Sequence, residues 1–375
     1  MNGLGIIAEY NPMHTGHISH MAASAQLTGA DFIVVVMSGN FVQRGEPALI
    51  DKWRRTKMAL VSGADLVLEL PVRYACSSAG YFANAAVNIL EKTGFVSSMC
   101  FGSEWSDIER LKKCAGLLLA ENDIFKDRLR EYLAKGASYP AARAKALSNL
   151  HELPDTPNNI LGIEYIMALK ILGSNIEPHT VPRADVSAKD IRRAYYRGEM
   201  DFVQKNMSPL CWEILHGSSC AEMDNLSSVL HYILYTEVNL NKFSDVSEGL
   251  ENRIVKFARD NRLISEIIAD VKTKRYTYLR LQRAVLHVIL GIKKNDMLVD
   301  PQYIRILGFK ESRADLLGKL LERASLPVVL NLKNANLPAQ AMEMLEQEIR
   351  SSKIYSLAFP GHVYFDEYSI PIVKV

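Results

Sequence analysis

Residues 4–20, with the sequence LGIIAEYNPMHTGHISH, constrain the fold of this chain more than any other stretch. The apolar run 4–8 predicts a short buried strand, and the pair Asn11-Pro12 predicts a turn after it. A helix is expected to begin in His14-Thr15-Gly16-His17 and to continue to residue 26. A strand, a tight turn and a helix N-terminus present backbone N–H groups and the positive end of a helix dipole to an anion.

The two histidines of this stretch are three residues apart, so one helical turn puts both imidazoles on the same face. His14 and His17 can then both donate hydrogen bonds to phosphate oxygens. Gly16 between them has no Cβ that would keep a nucleotide at a distance. The alternative is a solvated turn that happens to contain two histidines. Because the pair follows a first strand and opens a helix, we predict a phosphate site.

The same stretch resembles the HxGH signature of the nucleotidylyltransferase superfamily, whose enzymes act on the α-phosphate of ATP. The string EYNPMHTGH is similar to one branch, the tRNA(Met) cytidine acetate ligases, which usually have Phe in place of Met13. The resemblance implies that His14 and His17 are catalytic. The ATP-binding residues that it implies here are Ile7, Ala8, Glu9, Tyr10, Asn11, Pro12, Met13, His14, Thr15, Gly16, His17 and His20.

Composition excludes several classes of protein. The chain has 375 residues, enough for two or three domains, and 48% hydrophobic residues, which is typical of a soluble globular protein. A net charge of +2 means that any contact with nucleic acid must be local. Five cysteines without CxxC spacing argue against a disulfide framework and suit a reducing cytoplasm. We find neither a signal peptide nor a membrane-length apolar run and expect a cytoplasmic protein without a membrane partner.

Apolar strand patterns alternate with helical patterns through the first half of the chain. Further strands are expected over 32–37, 66–70, 97–101 and 177–181, and helices over 52–62, 79–92, 107–150 and 160–172. This alternation predicts an α/β fold with a doubly wound parallel sheet. Ligands of such sheets bind beyond the carboxyl ends of the strands, which directs attention to the loops there.

The loop 38–50, SGNFVQRGEPALI, follows the second expected strand. Asn40, Gln43 and Arg44 could donate hydrogen bonds to phosphate or to a carboxylate substrate, and Glu46 could hold a metal-bound water. The alternative is a polar surface loop. The string SGNFxQRGEP is similar to the acetate ligases, which favours a substrate loop. The helix after it is similar too, and its Arg54, Arg55 and Lys57 could assist with phosphates or form a solvated basic face.

Two later residues are assigned to ATP on the resemblance. Gly102, in FGSE after the fourth strand, allows close approach of a base or ribose, although an ordinary turn glycine is the alternative. Asn159, in PNNILGIEYI, matches an asparagine that contacts the nucleotide in the family. An N-cap role at the start of the following helix would explain one of the two neighbouring asparagines without any ligand.

The segment 186–192, VSAKDIR, is similar to the second superfamily signature, ISSTxIR, in which hydroxyls at a helix N-terminus and an arginine hold the β- and γ-phosphates. Ser187 and Arg192 match it, whereas Lys189 replaces the second hydroxyl. A lysine can still hold a phosphate as a point charge. The stretch before the signature is shortened here to Arg183-Ala184-Asp185, and Arg183 is assigned to ATP binding.

The second half changes to helices with few strand signals, so we predict an ATP-binding catalytic domain at 1–198 and a mainly helical domain at 199–375. Residues 253–294 contain eleven Lys or Arg against three acidic residues. Basic side chains interleaved with tyrosines are typical of RNA contact, and a solvated helix covering a core is the alternative. TKRYTYLRLQR resembles the family, whose helical domain binds tRNA. The implied tRNA-binding residues are Lys272, Lys274, Arg275, Tyr276, Arg280 and Arg283.

No metal site is expected in the chain itself, because Cys211, Trp212, His216, Cys220 and His231 fit no zinc spacing and suit core packing. Mg²⁺ is expected to accompany ATP, since triphosphate charge must be neutralised. The resemblance implies an ATP-dependent ligase that makes acetyl-adenylate from acetate and acetylates N4 of the wobble cytidine of elongator tRNA(Met). The alternatives are a small-molecule adenylyltransferase of cofactor biosynthesis and a non-catalytic RNA-binding protein with a degenerate nucleotide pocket.

Overall fold

A mixed β-sheet flanked by helices forms the centre of the molecule. The computed structural model describes residues 2–120, 123–137, 139–147, 156–183, 186–259, 262–361 and 363–375. Within these ranges the strands of the sheet run in the order β10-β8-β5-β2-β1-β6-β7, and β9 also pairs with β8. The strands are β1 (Gly3–Ala8), β2 (Phe32–Ser38), β3 (Phe41–Val42), β4 (Glu46–Pro47), β5 (Leu66–Leu70), β6 (Val96–Ser103), β7 (Glu177–Pro182), β8 (Ile304–Phe309), β9 (Val328–Val329) and β10 (Val373–Lys374).

The five strands expected from the sequence (β1, β2, β5, β6 and β7) all form, and they pair in parallel. Strand β2 is buried along its whole length, and its side chains alternate between two apolar cores. Phe32, Val34 and Val36 face one core, whereas Ile33, Val35 and Met37 face the other. A continuous apolar run is what a strand covered by helices on both faces requires. The predicted α/β fold class is confirmed.

Helices cover both faces of the sheet. Helix α4 packs against α8 on one side, and α2 packs against β8 and α11 on the other. The helices of the first half are α1 (Thr15–Thr28), α2 (Lys52–Val61), α3 (Val72–Ala75), α4 (Ala79–Lys92), α5 (Ile108–Leu119), α6 (Asp123–Ala134), α7 (Tyr139–Leu147), α8 (Pro157–Leu172) and α9 (Ala188–Tyr196). The predicted helical stretch 107–150 corresponds to α5, α6 and α7, and its last residues, 148–150, lie outside the described residues.

The second half is mainly helical, as expected. Its helices are α10 (Met200–Lys205), α11 (Pro209–His216), α12 (Ser227–Thr236), α13 (Leu250–Phe257), α14 (Ile264–Val271), α15 (Tyr278–Leu290), α16 (Asp315–Arg323) and α17 (Ala339–Tyr355). In the described part of the chain, no helix combines the length and the apolar character needed to span a membrane.

One strand of the second half joins the sheet of the first half, which the sequence patterns did not predict. Strand β8 lies antiparallel to β5 and is itself paired with β9 and β10. All six residues of β8 are buried, which explains why an apolar run within a helical half enters the sheet. The sheet therefore extends past residue 198, and the division into 1–198 and 199–375 stays a prediction about function.

Candidate functional site

The two histidines of the HxGH stretch stand together where β1 ends and α1 begins. His14 is the N-cap of α1, and its Nδ1 accepts a hydrogen bond from the Gly16 N–H at 3.0 Å. The Nδ1 of His17 accepts one from the His14 N–H at 3.3 Å, and the two ring centroids are 3.9 Å apart. Because each Nδ1 is an acceptor, the proton of each neutral ring is on Nε2. The cap thus leaves two Nε2–H donors side by side.

Burial keeps these imidazoles uncharged. It lowers the pKa of His14 to about 4, with a further contribution from the positive charge of Arg183 that Asp190 opposes. Burial and the neighbouring His14 and His20 lower the pKa of His17 well below its usual value. Burial also lowers the pKa of His20 to about 4. Near neutral pH the site offers neutral donors, and a bound phosphate would raise these pKa values by favouring the charged form.

Several buried polar atoms on residues 10–20, and one on Gln43, whose N–H donates to Glu9, have no protein partner among the described residues. These buried atoms are the Tyr10 hydroxyl, Asn11 Nδ2, Gln43 Nε2 and His20 Nε2. The ring of Tyr10 meets that of His17 edge-on at 5.1 Å. Since buried polar atoms in folded proteins are normally hydrogen bonded, such a cluster is typical of a site that a polar ligand completes.

The other residues of 7–20 that the sequence assigned to ATP differ in their burial and in their contacts within the protein. Ile7 and Ala8 end β1 and are half-buried, and Pro12 is buried in the turn. Met13 is fully buried in the second apolar core, so its side chain supports the turn from inside. Thr15 is exposed, and its N–H donates to Asn206 O at 2.9 Å.

Arg55 holds the ends of β1 and β2 together, which corrects both interpretations made of it from the sequence. It is fully buried and donates to Glu9 O at 2.6 Å, to Ser38 O at 3.0 Å and to Ile50 O at 3.1 Å, and also to Gly39 O. It is neither a phosphate ligand nor part of a solvated face, because its guanidinium is engaged by backbone carbonyls.

Gly102 and Arg183 border the site on the side of β6 and β7. A Cβ built on Gly102 would lie 3.7 Å from His20 Cδ2 and 3.9 Å from Arg183 Cα, so the glycine faces the same space as His20. Arg183 is exposed, and its Nη1 lies 3.5 Å from Glu104 Oε1. The structure therefore brings Gly102, Arg183 and the histidines together.

Asn159 is satisfied by protein groups. It is fully buried, its Oδ1 accepts from the Trp105 N–H at 3.2 Å, and its Nδ2 donates to Thr156 Oγ1 at 2.7 Å. Its own N–H donates to Glu104 Oε2 at 3.0 Å. The N-cap of α8 is Thr156, because the helix begins at Pro157 rather than at residue 160. The N-cap interpretation of the asparagines was wrong.

The second signature, which contains Ser187 and Arg192, lies next to the turn that precedes His14. Ser187 caps α9 in a reciprocal arrangement with Asp190, to whose Oδ2 its hydroxyl donates at 2.6 Å. Arg192 donates to Asn11 O at 2.6 Å and to Glu46 Oε1 at 2.9 Å. Lys189 lies at the N-terminus of α9 and is exposed. Helix α9 is thus attached to the turn that precedes His14.

In the predicted substrate loop 38–50, some side chains are buried and others are only half-buried. Asn40 is buried, its Nδ2 donates to Ser352 Oγ at 3.0 Å, and its Oδ1 accepts from the Lys52 N–H at 2.9 Å, so its amide is structural. Gln43 donates its N–H to Glu9 Oε1 at 2.8 Å. Arg44 is half-buried, close enough for its charge to act on Glu9.

Two carboxylates lie near this loop. Burial raises the pKa of Glu9, although the Gln43 N–H and the charge of Arg192 oppose this rise. Glu46 uses one oxygen for Arg192 and the other for Gln282 Nε2 at 3.3 Å. Its expected role with a metal-bound water is not supported, because both oxygens already have donors.

The basic segment lies at the N-terminus of α15 and partly lines a groove of about 560 Å³. Arg275, Arg280 and Arg283 line this groove. Lys272 and Lys274 are exposed outside it. The groove also contains residues from both halves that the sequence patterns did not single out, among them Tyr81, Tyr139 and Lys294.

The cations of the groove face carboxylates, and one predicted residue is buried. Arg275 Nη2 lies 3.1 Å from Glu248 Oε2, and Arg283 Nε lies 3.1 Å from Asp245 Oδ2. Tyr276 is 5% exposed, and its hydroxyl donates to Glu248 O at 2.7 Å. Its ring is therefore not free to stack on a base, contrary to its expected role in RNA contact.

The cysteines and histidines outside the site are accounted for by packing. Cys211 is buried in the second core, and His231 Nε2 is 2.8 Å from Arg262 O. Over the described ranges, no three His, Cys, Asp or Glu side chains are grouped so that they could hold a metal ion.

Known proteins resemble this chain along nearly its whole length. The family model described as HIGH Nucleotidyl Transferase matches residues 1–368. A tRNA(Met) cytidine acetate ligase of Thermoanaerobacter sp. (strain X514) is 38% identical over 384 residues, which cover 96% of both chains. The chain belongs to the tRNA(Met) cytidine acetate ligase family. Another acetate ligase, from Clostridium perfringens (strain ATCC 13124), is 37% identical over 404 residues and 100% of both chains.

The acetate ligase fold is also present in solved structures. A crystal structure of Thermotoga maritima TmcAL bound with alpha-thio ATP matches with a TM-score of 0.93 and 34% identity over 100% of both chains. An apo crystal form of the same protein has a TM-score of 0.93 at 33% identity.

Two structural roles near this candidate site were missed from the sequence, those of Asp190 and Arg55. The spacing of Asp190, three residues after Ser187, is that of a capping box and could have been recognised. No local pattern identifies the structural role of Arg55, because its carbonyl partners are gathered only by the fold.

Proposed function

We propose that this chain is an ATP-dependent ligase that activates acetate as acetyl-adenylate and then acetylates N4 of the wobble cytidine of elongator tRNA(Met). The observation that carries the proposal is the pair of neutral imidazoles at the start of α1, whose Nε2–H donors are set side by side by backbone hydrogen bonds. The relatives named tRNA(Met) cytidine acetate ligase, and the alpha-thio ATP bound to Thermotoga maritima TmcAL, support this choice of substrates.

In the first step an acetate oxygen attacks the α-phosphorus of ATP, and the bond from that phosphorus to the pyrophosphate oxygen breaks. His14 and His17 donate hydrogen bonds to the α-phosphate oxygens as negative charge gathers there. Such preorganised donors are typically worth on the order of 10²–10³ each in rate. Arg183 is placed to add positive charge, and Gly102 beside His20 gives the nucleoside room.

The β- and γ-phosphates are assigned to the N-terminus of α9, where Ser187 and Lys189 lie. Arg192 then acts by holding α9 to Asn11. Gln43 is the substrate-loop residue that we assign to acetate, because its N–H donates to Glu9 and its buried Nε2 has no protein partner among the described residues. Mg²⁺ is proposed to enter with ATP on the triphosphate oxygens, since the described residues provide no carboxylate cage.

In the second step N4 of the cytidine attacks the acetyl carbonyl carbon. The carbon–oxygen bond to AMP breaks, and N4 loses a proton, so no covalent enzyme intermediate is needed. RNA contact is assigned to Arg275, Arg280 and Arg283, which line the groove, and to the exposed Lys272 and Lys274, which precede them in the chain. Phosphate neutralisation by such a cluster supplies sequence-independent affinity. We assign catalysis to 1–198, tRNA binding to 199–375, and the cytoplasm as the compartment.

The test is mass spectrometry of nucleosides from bulk tRNA after incubation with ATP and labelled acetate. Labelled N4-acetylcytidine should appear with the wild-type chain and should vanish with His14→Ala. Pyrophosphate release should need acetate but not tRNA. Turnover of a small phosphorylated acceptor instead would identify an adenylyltransferase, and ATP binding without any turnover would identify a non-catalytic protein.

A further inference from the structure

The β3–β4 hairpin touches both the nucleotide loop and the basic helix. Gly45 at its tip packs against the backbone of α15, because a Cβ built there would lie 2.5 Å from Arg283 N. Gly45 also has a φ of +80°, which L side chains rarely adopt. Helix α15 and the hairpin are therefore in backbone contact, with no side chain between them.

The Glu46 carboxylate connects elements from the two halves of the chain. Its Oε2 accepts from Gln282 Nε2 on α15 at 3.3 Å, and its Oε1 accepts from Arg192 Nη2 on α9 at 2.9 Å. Arg192 in turn donates to Asn11 O at 2.6 Å, three residues before His14. A continuous line of hydrogen bonds thus runs from the basic helix to the turn that carries the catalytic histidine.

Gln282 itself is not placed to touch RNA. It is only 6% exposed, whereas its neighbours on α15, Arg280 and Arg283, line the groove. Its side-chain amide is directed at Glu46, so its contact serves the protein interior.

We propose that Gln282 is a positioning residue, which through Glu46 and Arg192 fixes the RNA-bearing helix α15 relative to the nucleotide loop. This inference rests on the proposed function. It adds a residue that aligns the RNA for acetyl transfer and is not needed for adenylate formation. Acetyl transfer needs N4 of the cytidine within reach of the acetyl carbon, and a misplacement of about 1 Å can cost on the order of 100-fold in rate. Adenylate formation needs no such alignment.

The experiment compares Gln282→Met with the wild-type chain in three assays. Met has nearly the same length but cannot donate to Glu46, and it leaves the Arg192 contact in place. Acetate-dependent ATP–pyrophosphate exchange should stay within about twofold, and binding of a labelled anticodon stem-loop should be unchanged. The kcat of tRNA acetylation should fall about 10- to 100-fold.

Gln204→Met, an exposed position on α10, is the matched control and should retain all three activities. A double-mutant cycle with Glu46→Ala tests the route, because the effect of Gln282→Met on acetyl transfer should disappear in the Glu46→Ala background.

An unchanged kcat of acetylation in Gln282→Met would overturn the inference. A weakened affinity for the stem-loop, an equal loss in both half-reactions, or additive effects in the cycle would do the same. These outcomes all presuppose a wild-type chain that makes N4-acetylcytidine. Failure of the wild-type chain would instead count against the proposed function.

Discussion

Two polar clusters of this molecule, one partly buried and one fully buried, are built in opposite ways. The histidine site contains His14, His17 and His20, which are uncharged, and buried polar atoms around them have no protein partner within the described residues. The buried ion cluster consists of Lys52, Glu69, Arg305, Glu348 and Glu367, none more than 3% exposed. There each cation lies between carboxylates. We infer that a bound ligand supplies the missing hydrogen bonds of the histidine site, whereas the ion cluster stabilises the folded chain.

The geometry of the ion cluster supports this distinction. Lys52 Nζ lies 2.6 Å from Glu69 Oε1 and 2.8 Å from Glu367 Oε1. Arg305 lies 3.0 Å from the other oxygen of Glu69 and 2.5 Å from that of Glu367. Burial and the nearby Glu69 raise the pKa of Glu348 to about 8, so this residue holds a proton at neutral pH. Two cations then face two carboxylates, and no net charge is buried.

The largest effect should follow from removing one cation of the ion cluster. Arg305→Met leaves Glu69 and Glu367 each with an unpaired oxygen in the interior. Breaking a buried ion pair in this way typically costs about 3–5 kcal/mol, about as much as the whole stability of a marginal domain. Urea denaturation should show the loss in the free energy of unfolding. ATP–pyrophosphate exchange per folded molecule should stay near the wild-type rate.

The control for this change is Arg130→Met, which removes an exposed pair with Asp127. Exposed pairs contribute little, so no measurable change is expected. Equal stabilities for wild type and Arg305→Met would mean that the ion cluster is as replaceable as a surface pair, and the distinction between the two clusters would fail.

The next effect in size concerns the histidine site and should appear in rate instead of stability. His17→Ala removes one Nε2–H donor and should slow acetate-dependent pyrophosphate release about 10²- to 10³-fold, because that donor acts where charge develops. The exposed His216→Ala, on α11, is the matched control and should be as active as the wild type.

The free energy of unfolding of His17→Ala also distinguishes the histidine site from the ion cluster. His17 Nδ1 accepts the His14 N–H at 3.3 Å, so its loss should reduce the free energy of unfolding by about 1 kcal/mol, the typical value of one cap. A fully active His17→Ala, or one whose inactivity follows from unfolding, would contradict the assignment.

Sequence predicts one of these clusters much better than the other, for a physical reason. The histidine pair is local, since strand, turn and helix follow each other within residues 4–20, and the parallel strands likewise appear as apolar runs. The ion cluster joins α2 and β5 to β8 and the C-terminal region, so no window of sequence contains it. Lys52 and Arg55 belong to a basic run, and the sequence alone does not show which side chains of that run are buried.

Contacts with distant segments also explain why some predicted site residues have buried side chains. Asn40 and Tyr276 each bond groups that the fold brings from elsewhere, Ser352 and Glu248 respectively. A polar or aromatic residue in a matching motif indicates that a segment lies near a ligand. Which of its side chains face that ligand depends on contacts with distant segments.

At the acid end of the pH range the smallest effect should come from Glu348→Gln, and this effect grows as pH rises. Because the folded pKa of Glu348, about 8, exceeds the value of 4.5 for a free glutamate, the folded state keeps a proton that the unfolded state releases between these values. Its contribution to stability is therefore full below pH 4.5 and declines as pH rises toward 8. Glutamine does not titrate, so the variant should lack this decline.

Urea midpoints of both proteins between about pH 5 and about pH 8 provide the measurement. At the acid end Glu348→Gln should lie within about 1 kcal/mol of the wild type, since both side chains are neutral there. The difference should shift in favour of the variant as pH rises. Glu367, whose pKa is lowered to about 2, loses its contribution only below this range and in both proteins alike. Parallel curves would mean that Glu348 is ionised throughout, and the ion cluster would then hold an unbalanced charge.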